Sequence, residues 1–250
     1  MKNKINSNKH LNPSSFDSLR VERVEKEILF EDNHLLIINK KPGELSQGDN
    51  TGDISLIESL KEFIKIRDQK LGNVFLGLIH RLDRPTSGIL VFAKTSKALS
   101  RMNDLFKTRE VKKAYWAIVE GKPESQSGRL EHYLKKNPKN NKVTVYTKPT
   151  QEAKLAILEY KVLGNLDNYS LLEVDLFTGR SHQIRSQLSF MGHAIKGDLK
   201  YGAKRSNPDG SISLHARKIS FIHPVKKDEL TILAPPPNEK IWQDCLKFAD

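Results

Sequence analysis

Cysteine is nearly absent from the sequence, since Cys245 is the only one among 250 residues. A single cysteine excludes an internal disulfide and a thiolate metal cluster built from this chain alone, and it agrees with a reducing compartment. Apolar runs never approach the roughly 18 residues of a membrane span, and the N-terminus lacks the apolar core of a secretory signal. We therefore expect a cytoplasmic protein that does not associate with a membrane.

Acidic residues are few relative to basic ones, with 30 Asp and Glu against 42 Lys and Arg and a net charge of +12. This excess favours a polyanion as partner, with nucleic acid as the first candidate. A proteome in which every protein is basic for solubility would give the same charge, so charge alone does not establish the partner. The length and the 37% apolar content allow one large domain or two small ones with a buried core.

The apolar pattern divides the chain into a tail and a folded domain. Residues 1–23 are rich in Asn, Ser and Lys without a periodic apolar pattern, which predicts a flexible tail before a domain over residues 24–250. Helical spacing follows Asp53, the expected N-cap, and returns from Ser96. The expected hairpin and strands lie at 28–38, 89–93, 114–119 and 169–177.

Between two of these strands, residues 135–150 contain five lysines and three asparagines and predict a long exposed loop. Strands and helices interleave without a strict βαβ rhythm. We therefore predict an α/β protein of the α+β type, with a mixed, largely antiparallel sheet and flanking helices.

The densest polar segment runs from His80 to Gly88, just before the strand at 89–93. It places the carboxylate of Asp83 between two arginines, on a loop anchored by a rigid element. Pro85 restrains the preceding arginine to extended geometry, so Asp83 should project from a stiff turn. The same residues also fit a structural interpretation, in which Asp83 closes its own turn and the arginines are solvated.

A second polar segment runs from Phe177 to Arg185. An alternating strand ends here and a helix begins near Ser181, so that His182 and Arg185, three residues apart, share one helix face. This arrangement is typical of a polar cleft wall, and a solvated basic helix would have the same pattern.

A third segment, Lys112 to Gly121, has strand character. Tyr115, Ala117 and Val119 share one face, so that a tyrosine hydroxyl can enter a cleft while its ring packs. A tyrosine buried in the core is the alternative.

Together these segments resemble the RluA-type RNA pseudouridine synthases over about Glu27 to Pro235. Several long motifs in the right order make a chance match improbable. The family signatures HRLDxxTSG, KxYxAxVxG, TGRxHQ[IL]R and GHxIxGDxxYG stand at residues 80–88, 113–121, 178–185 and 192–202, and the LHA and HP elements at His215-Ala216 and His223-Pro224. The chain departs from the common pattern at Ser186-Gln187, Ala194 and Lys196.

The resemblance implies a pseudouridine synthase fold, a bent sheet with a central catalytic cleft, over residues 24–250. It makes Asp83 the catalytic aspartate, Tyr115 the tyrosine against the target base and Arg185 the partner of the aspartate. It implies isomerisation of uridine to pseudouridine in ribosomal or transfer RNA, with neither metal nor organic cofactor. We expect a monomer without the S4-type RNA-binding domain of many relatives, so that recognition depends mainly on the catalytic domain.

RNA contacts are expected from the basic and polar side chains around these motifs. Arg81 is the first candidate, and His80 a weaker one, to fill the gap left by an extruded nucleotide. Lys107, Arg109 and the lysines of residues 135–150 can hold phosphates or be merely solvated. The other predicted RNA-binding residues are Arg84, Lys112, Lys113, Arg180 and His182.

Two other functions use the same residues differently. A binding or ribosome-assembly factor would keep the fold without catalysis, although the intact Asp83, Tyr115 and Arg185 argue against it. A hydrolase would release free uracil, because an aspartate beside the sugar carbon serves either outcome.

Overall fold

The computed structural model describes residues 24–49 and 52–249. The tail predicted over residues 1–23 lies outside this part of the chain. The strands are β1 Ile28–Glu31, β2 Leu35–Lys40, β3 Gly77–Leu78, β4 Ser87–Ala93, β5 Lys112–Glu120, β6 Ser127–Asn137, β7 Lys142–Tyr146, β8 Lys154–Asn165, β9 Tyr169–Leu176, β10 Leu214–Ile222 and β11 Glu229–Leu233. The helices are α1 Leu56–Arg67, α2 Ser96–Thr108, α3 Gln183–Phe190 and α4 Lys240–Leu246, with a short 3₁₀-helix at Leu199–Tyr201.

One sheet joins these strands in the order β1-β2-β4-β10-β5-β9-β8-β6-β7, with β3 added to β4 and β11 to β10. Every described strand pair is antiparallel except β4 with β10, which run parallel. The predicted fold class, a mixed and largely antiparallel sheet with flanking helices, is confirmed. In the described part of the chain, no helix has both the length and the apolar character needed to cross a bilayer.

The parallel contact joins the two parts of the sheet, and it depends on glycine. Gly88 lies opposite Ala216 with a φ of +110°, a region that favours glycine. A Cβ at this position would lie only 2.4 Å from the carbonyl oxygen of Ala216. The last residue of the first motif therefore allows β4 and β10 to approach, directly after the loop that carries Asp83.

Two histidines of the C-terminal motifs are packing residues. The buried ring of His215 contacts Ser87 Oγ at 2.9 Å and the Ala234 carbonyl oxygen at 3.1 Å, and burial lowers its pKa to about 4. His223 is also buried, and its Nδ1 accepts hydrogen bonds from two backbone N–H groups while Nε2 lies 3.2 Å from Asp32. These contacts hold β10 against β4 and against the β1–β2 turn.

Helix α1 follows its apolar pattern, but the prediction of its N-cap was wrong. Ser55, not Asp53, is the N-cap, and the Glu58 carboxylate accepts hydrogen bonds from the Ser55 backbone N–H at 2.8 Å and from its hydroxyl at 2.7 Å. This Ser-x-x-Glu capping box pairs free backbone N–H groups at the start of the helix, which an isolated aspartate two residues earlier would do less well. Asp53 instead forms an ion pair with Arg84 at 2.8 Å.

The prediction of a long exposed loop at residues 135–150 was also wrong. β6 and β7 form an antiparallel hairpin there, in which Lys136 lies opposite Val143. Leu134 and Val143 are buried with Ala156 and Tyr201 in a small apolar cluster, while Lys136 and Lys142 on the same two strands are exposed. The high lysine and asparagine content obscured the two-residue period that a half-buried hairpin requires.

We predict that Gly88→Ala lowers the free energy of unfolding by about 3 kcal/mol, because the added methyl group clashes with backbone at an unfavourable φ. The matched control is Gly72→Ala, where an added Cβ would meet no atom within 4 Å. Urea unfolding followed by circular dichroism measures both. Equal unfolding midpoints for the two variants would contradict the close approach of β4 and β10.

Candidate active site

The loop before β4 holds Asp83 through hydrogen bonds on both sides. Ser46 Oγ donates to the Leu82 carbonyl oxygen at 3.0 Å and accepts from the Leu82 N–H at 3.3 Å. The Thr86 N–H donates to the Asp83 carbonyl oxygen at 3.0 Å, which closes a tight turn. The Asp83 side chain, 29% exposed, therefore projects from a backbone that is fixed before and after it.

A buried lysine also binds the backbone of this loop. Lys40, at the end of β2, is fully buried, and its Nζ donates to the Lys41 carbonyl oxygen at 2.8 Å and to that of Arg84 at 3.1 Å. Burial lowers its pKa to about 8, against the opposite effect of the Glu44 and Asp83 carboxylates. The ammonium group ties β2 to the residue that follows Asp83.

Arg185, on α3, lies between two carboxylates. Its Nη1 donates to Asp83 Oδ2 at 2.8 Å, while Nε and Nη2 donate to the two oxygens of Asp198 at 2.6 and 2.9 Å. Burial lowers the pKa of Arg185, but hydrogen bonds and the negative charges of both aspartates outweigh it and raise the pKa overall. The guanidinium therefore stays charged, with its plane fixed by the paired contact to Asp198.

Asp198 and Tyr201 contact Arg185, and residue-by-residue reasoning on the sequence missed both. Asp198 is 1% exposed, and the Tyr201 ring lies 5.1 Å from the Arg185 guanidinium carbon. Both belong to the fourth motif, GHxIxGDxxYG, whose resemblance to the family was the signal that could have pointed to them. Both residues therefore contact the guanidinium of Arg185 that also binds Asp83.

His182 approaches the same carboxylate from the start of α3. It adopts a left-handed backbone conformation with a φ of 50°, and its Nε2 lies 3.8 Å from Asp83 Oδ2, too far for a hydrogen bond. Its Nδ1 lies 2.8 Å from the hydroxyl of Tyr201, which accepts a hydrogen bond from the Val143 N–H. Burial lowers the pKa of His182 against the opposing effect of Asp83, which favours the neutral ring.

Tyr115 lies on β5, opposite Ala216 of β10 and Val174 of β9. It is 8% exposed, and burial together with the negative charge of Asp83 raises its pKa. The phenol is therefore neutral. Tyr115 is thus buried like a core residue, and it also lines the same cleft as Asp83.

The cleft around these groups has a volume of about 890 Å³, large enough for a nucleotide. It brings together nine of the ten residues that the sequence predicted for the site, and only Lys112 lies outside, in a neighbouring groove. The nine are His80, Arg81, Asp83, Arg84, Lys113, Tyr115, Arg180, His182 and Arg185. Within the described residues, no group of three His, Cys, Asp or Glu side chains is placed to hold a metal ion.

The basic residues of the cleft differ in how freely they can meet a ligand. Arg81 is exposed and makes no side-chain hydrogen bond or ion pair within the described residues. Arg84 is also exposed, but its guanidinium contacts the Gly43 carbonyl oxygen at 3.0 Å and Asp53 at 2.8 Å. Arg180 donates through Nε to the Leu155 carbonyl oxygen at 2.9 Å. Arg81 is thus the freest of the three.

The His80 ring is packed against Phe106, with the ring centroids 5.2 Å apart and nearly parallel. Its Nε2 is buried without a hydrogen-bond partner in the described part of the chain. Burial, together with the charge of Lys113, lowers the pKa of His80 to about 3, so the ring is neutral at physiological pH.

We predict that Asp198→Asn destabilises the protein by about 3 kcal/mol, because it leaves the buried Arg185 without the charge that its paired hydrogen bonds contact. Urea unfolding measures this loss. Asp244→Asn is the control, since Asp244 pairs with the exposed Lys240 on the surface of α4, and its loss should change stability by less than about 0.5 kcal/mol. A loss as small as that of the control would mean that Asp198 does not support Arg185.

Comparisons with known proteins identify the family. A family model described as RNA pseudouridylate synthase matches residues 34–190. Ribosomal large subunit pseudouridine synthase C of Vibrio cholerae is 34% identical over 229 residues, which cover 89% of this chain and 70% of that protein. The uncharacterized RNA pseudouridine synthase YhcT of Bacillus subtilis is 32% identical over 242 residues, 91% of this chain and 74% of that protein.

A solved structure has the same fold. Human RNA Pseudouridylate Synthase Domain Containing 4 matches with a TM-score of 0.75 and 25% sequence identity, over 92% of this chain and 95% of that one. The sequence motifs, the fold and the relatives agree. The chain therefore belongs to the RNA pseudouridine synthase family, as an RluA-type member, and is an isomerase that acts on RNA.

Proposed function

We propose that Asp83 is the residue that reacts with the ribose of the target uridine. The observation that supports this most is the contact between Asp83 Oδ2 and Arg185 Nη1 at 2.8 Å, in a cleft large enough for a nucleotide. Arg185 and His182 both approach Oδ2, which leaves Oδ1 as the oxygen that faces the substrate. The guanidinium thus fixes the orientation of the carboxylate without occupying its second oxygen.

The reaction rearranges bonds within one nucleotide. The bond from C1′ to N1 breaks, the uracil rotates, a bond forms from C1′ to C5, and the C5 proton is lost while N1 gains one. Asp83 either attacks C1′ or removes the proton on C2′ to give a glycal, and both routes use the same carboxylate. No electron donor or transferred group is required, so we propose that no cofactor takes part.

Tyr115 is proposed as the surface against which the uracil packs. Its backbone is paired with β10 on one side and with β9 on the other, and its side chain is buried, so the ring can give the base a fixed apolar face. The phenol keeps its proton because its pKa is raised. It therefore orients the base during rotation and can relay a proton only as a neutral hydroxyl.

The RNA substrate is proposed from the relatives and the charge. Relatives in Vibrio cholerae and Zymomonas mobilis are named ribosomal large subunit pseudouridine synthases C and D, which favours ribosomal RNA over transfer RNA for this chain. We also propose that the protein works as a monomer in the cytoplasm. Asp83, Tyr115 and Arg185 line one cleft of a single chain, so a second copy is not needed to complete the site.

Contacts with RNA are proposed for the charged and polar side chains that line the cleft. Arg81, Lys113 and Arg180 offer cationic groups for phosphates, while His80 and His182 are neutral rings that favour contact with a base or sugar. Arg84 reaches RNA only by giving up its contacts with Gly43 and Asp53, so its main part in our proposal is to hold the loop.

We predict that Asp83→Asn lowers turnover at least about 10³-fold while RNA affinity is kept, because the amide keeps the shape but cannot act as nucleophile or base. RNA labelled with tritium at uridine C5 measures this. Isomerisation releases tritium to water with the chain mass unchanged, hydrolysis releases free uracil, and a binding protein does neither. Asp104→Asn, on the exposed side of α2, is the matched control. Turnover equal to that control would remove Asp83 from the mechanism.

We predict that Arg81→Ala slows tritium release from folded RNA about tenfold, because extrusion of a stacked base costs a few kcal/mol and the guanidinium no longer fills the gap. Release from a single-stranded oligonucleotide should change much less, since its bases are already free. Arg205→Ala is the control, an exposed arginine away from the cleft. Equal losses on both substrates would assign Arg81 to general phosphate binding instead.

A further inference from the structure

A second groove, here called the flanking groove, lies beside the catalytic cleft and has a volume of about 730 Å³. It is formed where α2 ends, β5 begins and β9 turns toward α3. Five residues line both the groove and the cleft, so the two depressions share a wall: Phe106, Lys113, Leu176, Gly179 and Arg180. A chain that occupies the cleft can therefore continue into the groove.

The flanking groove is strongly cationic. Lys107, Arg109 and Lys112 are exposed and form no side-chain hydrogen bond or ion pair within the described residues, and Lys113 and Arg180 add two more positive charges. The single carboxylate in the lining is Asp175, whose pKa is raised by burial and by the nearby Glu173 and Glu159. The positive charge of the groove as a whole therefore complements a polyanion.

An aromatic ring stands in this cationic groove. Phe177 is 44% exposed and lines the groove. The Arg129 guanidinium carbon lies 5.4 Å from the centre of its ring and is held in turn by Glu159 at 2.8 Å. Arg129 is not part of the groove lining, so it supports the ring from outside and leaves an apolar face toward the groove. This is the combination by which proteins bind single-stranded nucleic acid.

We propose that the flanking groove binds a nucleotide next to the target uridine, with its base stacked on Phe177 and its phosphates held by Lys107, Arg109 and Lys112. Extrusion of the target removes the stacking partner of its neighbour, and Phe177 replaces that partner. The proposal rests on the proposed function in one respect, that the target uridine occupies the cleft. An acidic peptide would also match the charge, but it would gain nothing from the exposed ring or from the shared wall.

The experiment measures binding and turnover separately. The binding probe is a fluorescein-labelled single-stranded oligouridylate, and the turnover probe is tritium-labelled RNA from cells that lack this gene. The variants are Phe177→Leu and the pair Lys107→Gln with Lys112→Gln. The matched controls are Phe75→Leu, another phenylalanine that is 47% exposed, and the pair Lys97→Gln with Lys161→Gln, two exposed lysines of α2 and β8 outside the groove.

We expect Phe177→Leu to weaken oligouridylate binding about tenfold without changing its salt dependence, because a stacked base is lost and no phosphate contact is removed. In turnover, the loss should fall mainly on KM. The lysine pair should reduce the slope of log affinity against log salt by about 1.4, the value for two phosphate contacts on a single strand. Both control variants should bind like the wild type.

Three results would overturn the proposal. If Phe177→Leu binds oligouridylate as tightly as Phe75→Leu does, stacking on Phe177 is excluded, even where the lysine pair lowers the salt slope. If the lysine-pair variant has the same salt slope as its control pair, the phosphate contacts are excluded. Polyglutamate that displaces oligouridylate at equal charge would show a general polyanion surface. If instead the wild type releases no tritium from any RNA while the groove variants lose affinity, the proposed reaction fails and the groove stands.

Discussion

The guanidinium of Arg185 is shared by two carboxylates, and the arrangement of the proposed catalytic groups depends on that sharing. Asp198 takes two of its donor directions and Asp83 takes the third. A free guanidinium would leave the orientation of Asp83 to thermal motion, whereas the paired contact fixes the plane and so the direction of Nη1. With both aspartates ionised, the two carboxylates and the guanidinium together carry one net negative charge.

The sheet supplies the frame for this group from residues far apart in the sequence. Asp83 precedes β4, Tyr115 lies within β5 and Arg185 follows β9, and the order β4-β10-β5-β9 places the three elements close together. Backbone contacts on both sides of Asp83 and a buried ammonium below it limit the motion of the loop. Catalysis by positioning requires this rigidity, because small displacements of a reacting group are costly in rate.

Much of the fold was predictable from period and motif. The hairpin, the apolar strand before α2 and the helical faces follow local rules, since each element buries one side of a short segment. The misplaced N-cap arose where two polar residues competed, and only the glutamate three positions after Ser55 distinguishes them. The hairpin of residues 127–146 was hidden because its exposed lysines outnumber the few buried residues that define its register.

The site was predictable as far as its residues stand in recognisable motifs. Asp83, Tyr115 and Arg185 were predicted in this way, and the structure places all three in one cleft. Asp198 stands in the fourth motif, but its pairing with Arg185 was not predicted, because the partner lies 13 positions away and spacing alone does not reveal a buried ion pair. The groove containing Phe177 likewise depends on the junction of three elements, which period and propensity do not report.

The contact of Gly88 with Ala216 has a consequence for comparing members of this family. A side chain at position 88 would clash with the backbone of Ala216, so the close approach of the two strands requires the glycine that ends the first motif. A homologue with another residue there must separate these strands and widen the seam of its sheet. The residue at this position therefore reports how closely β4 and β10 approach in each homologue, whether or not that homologue is active.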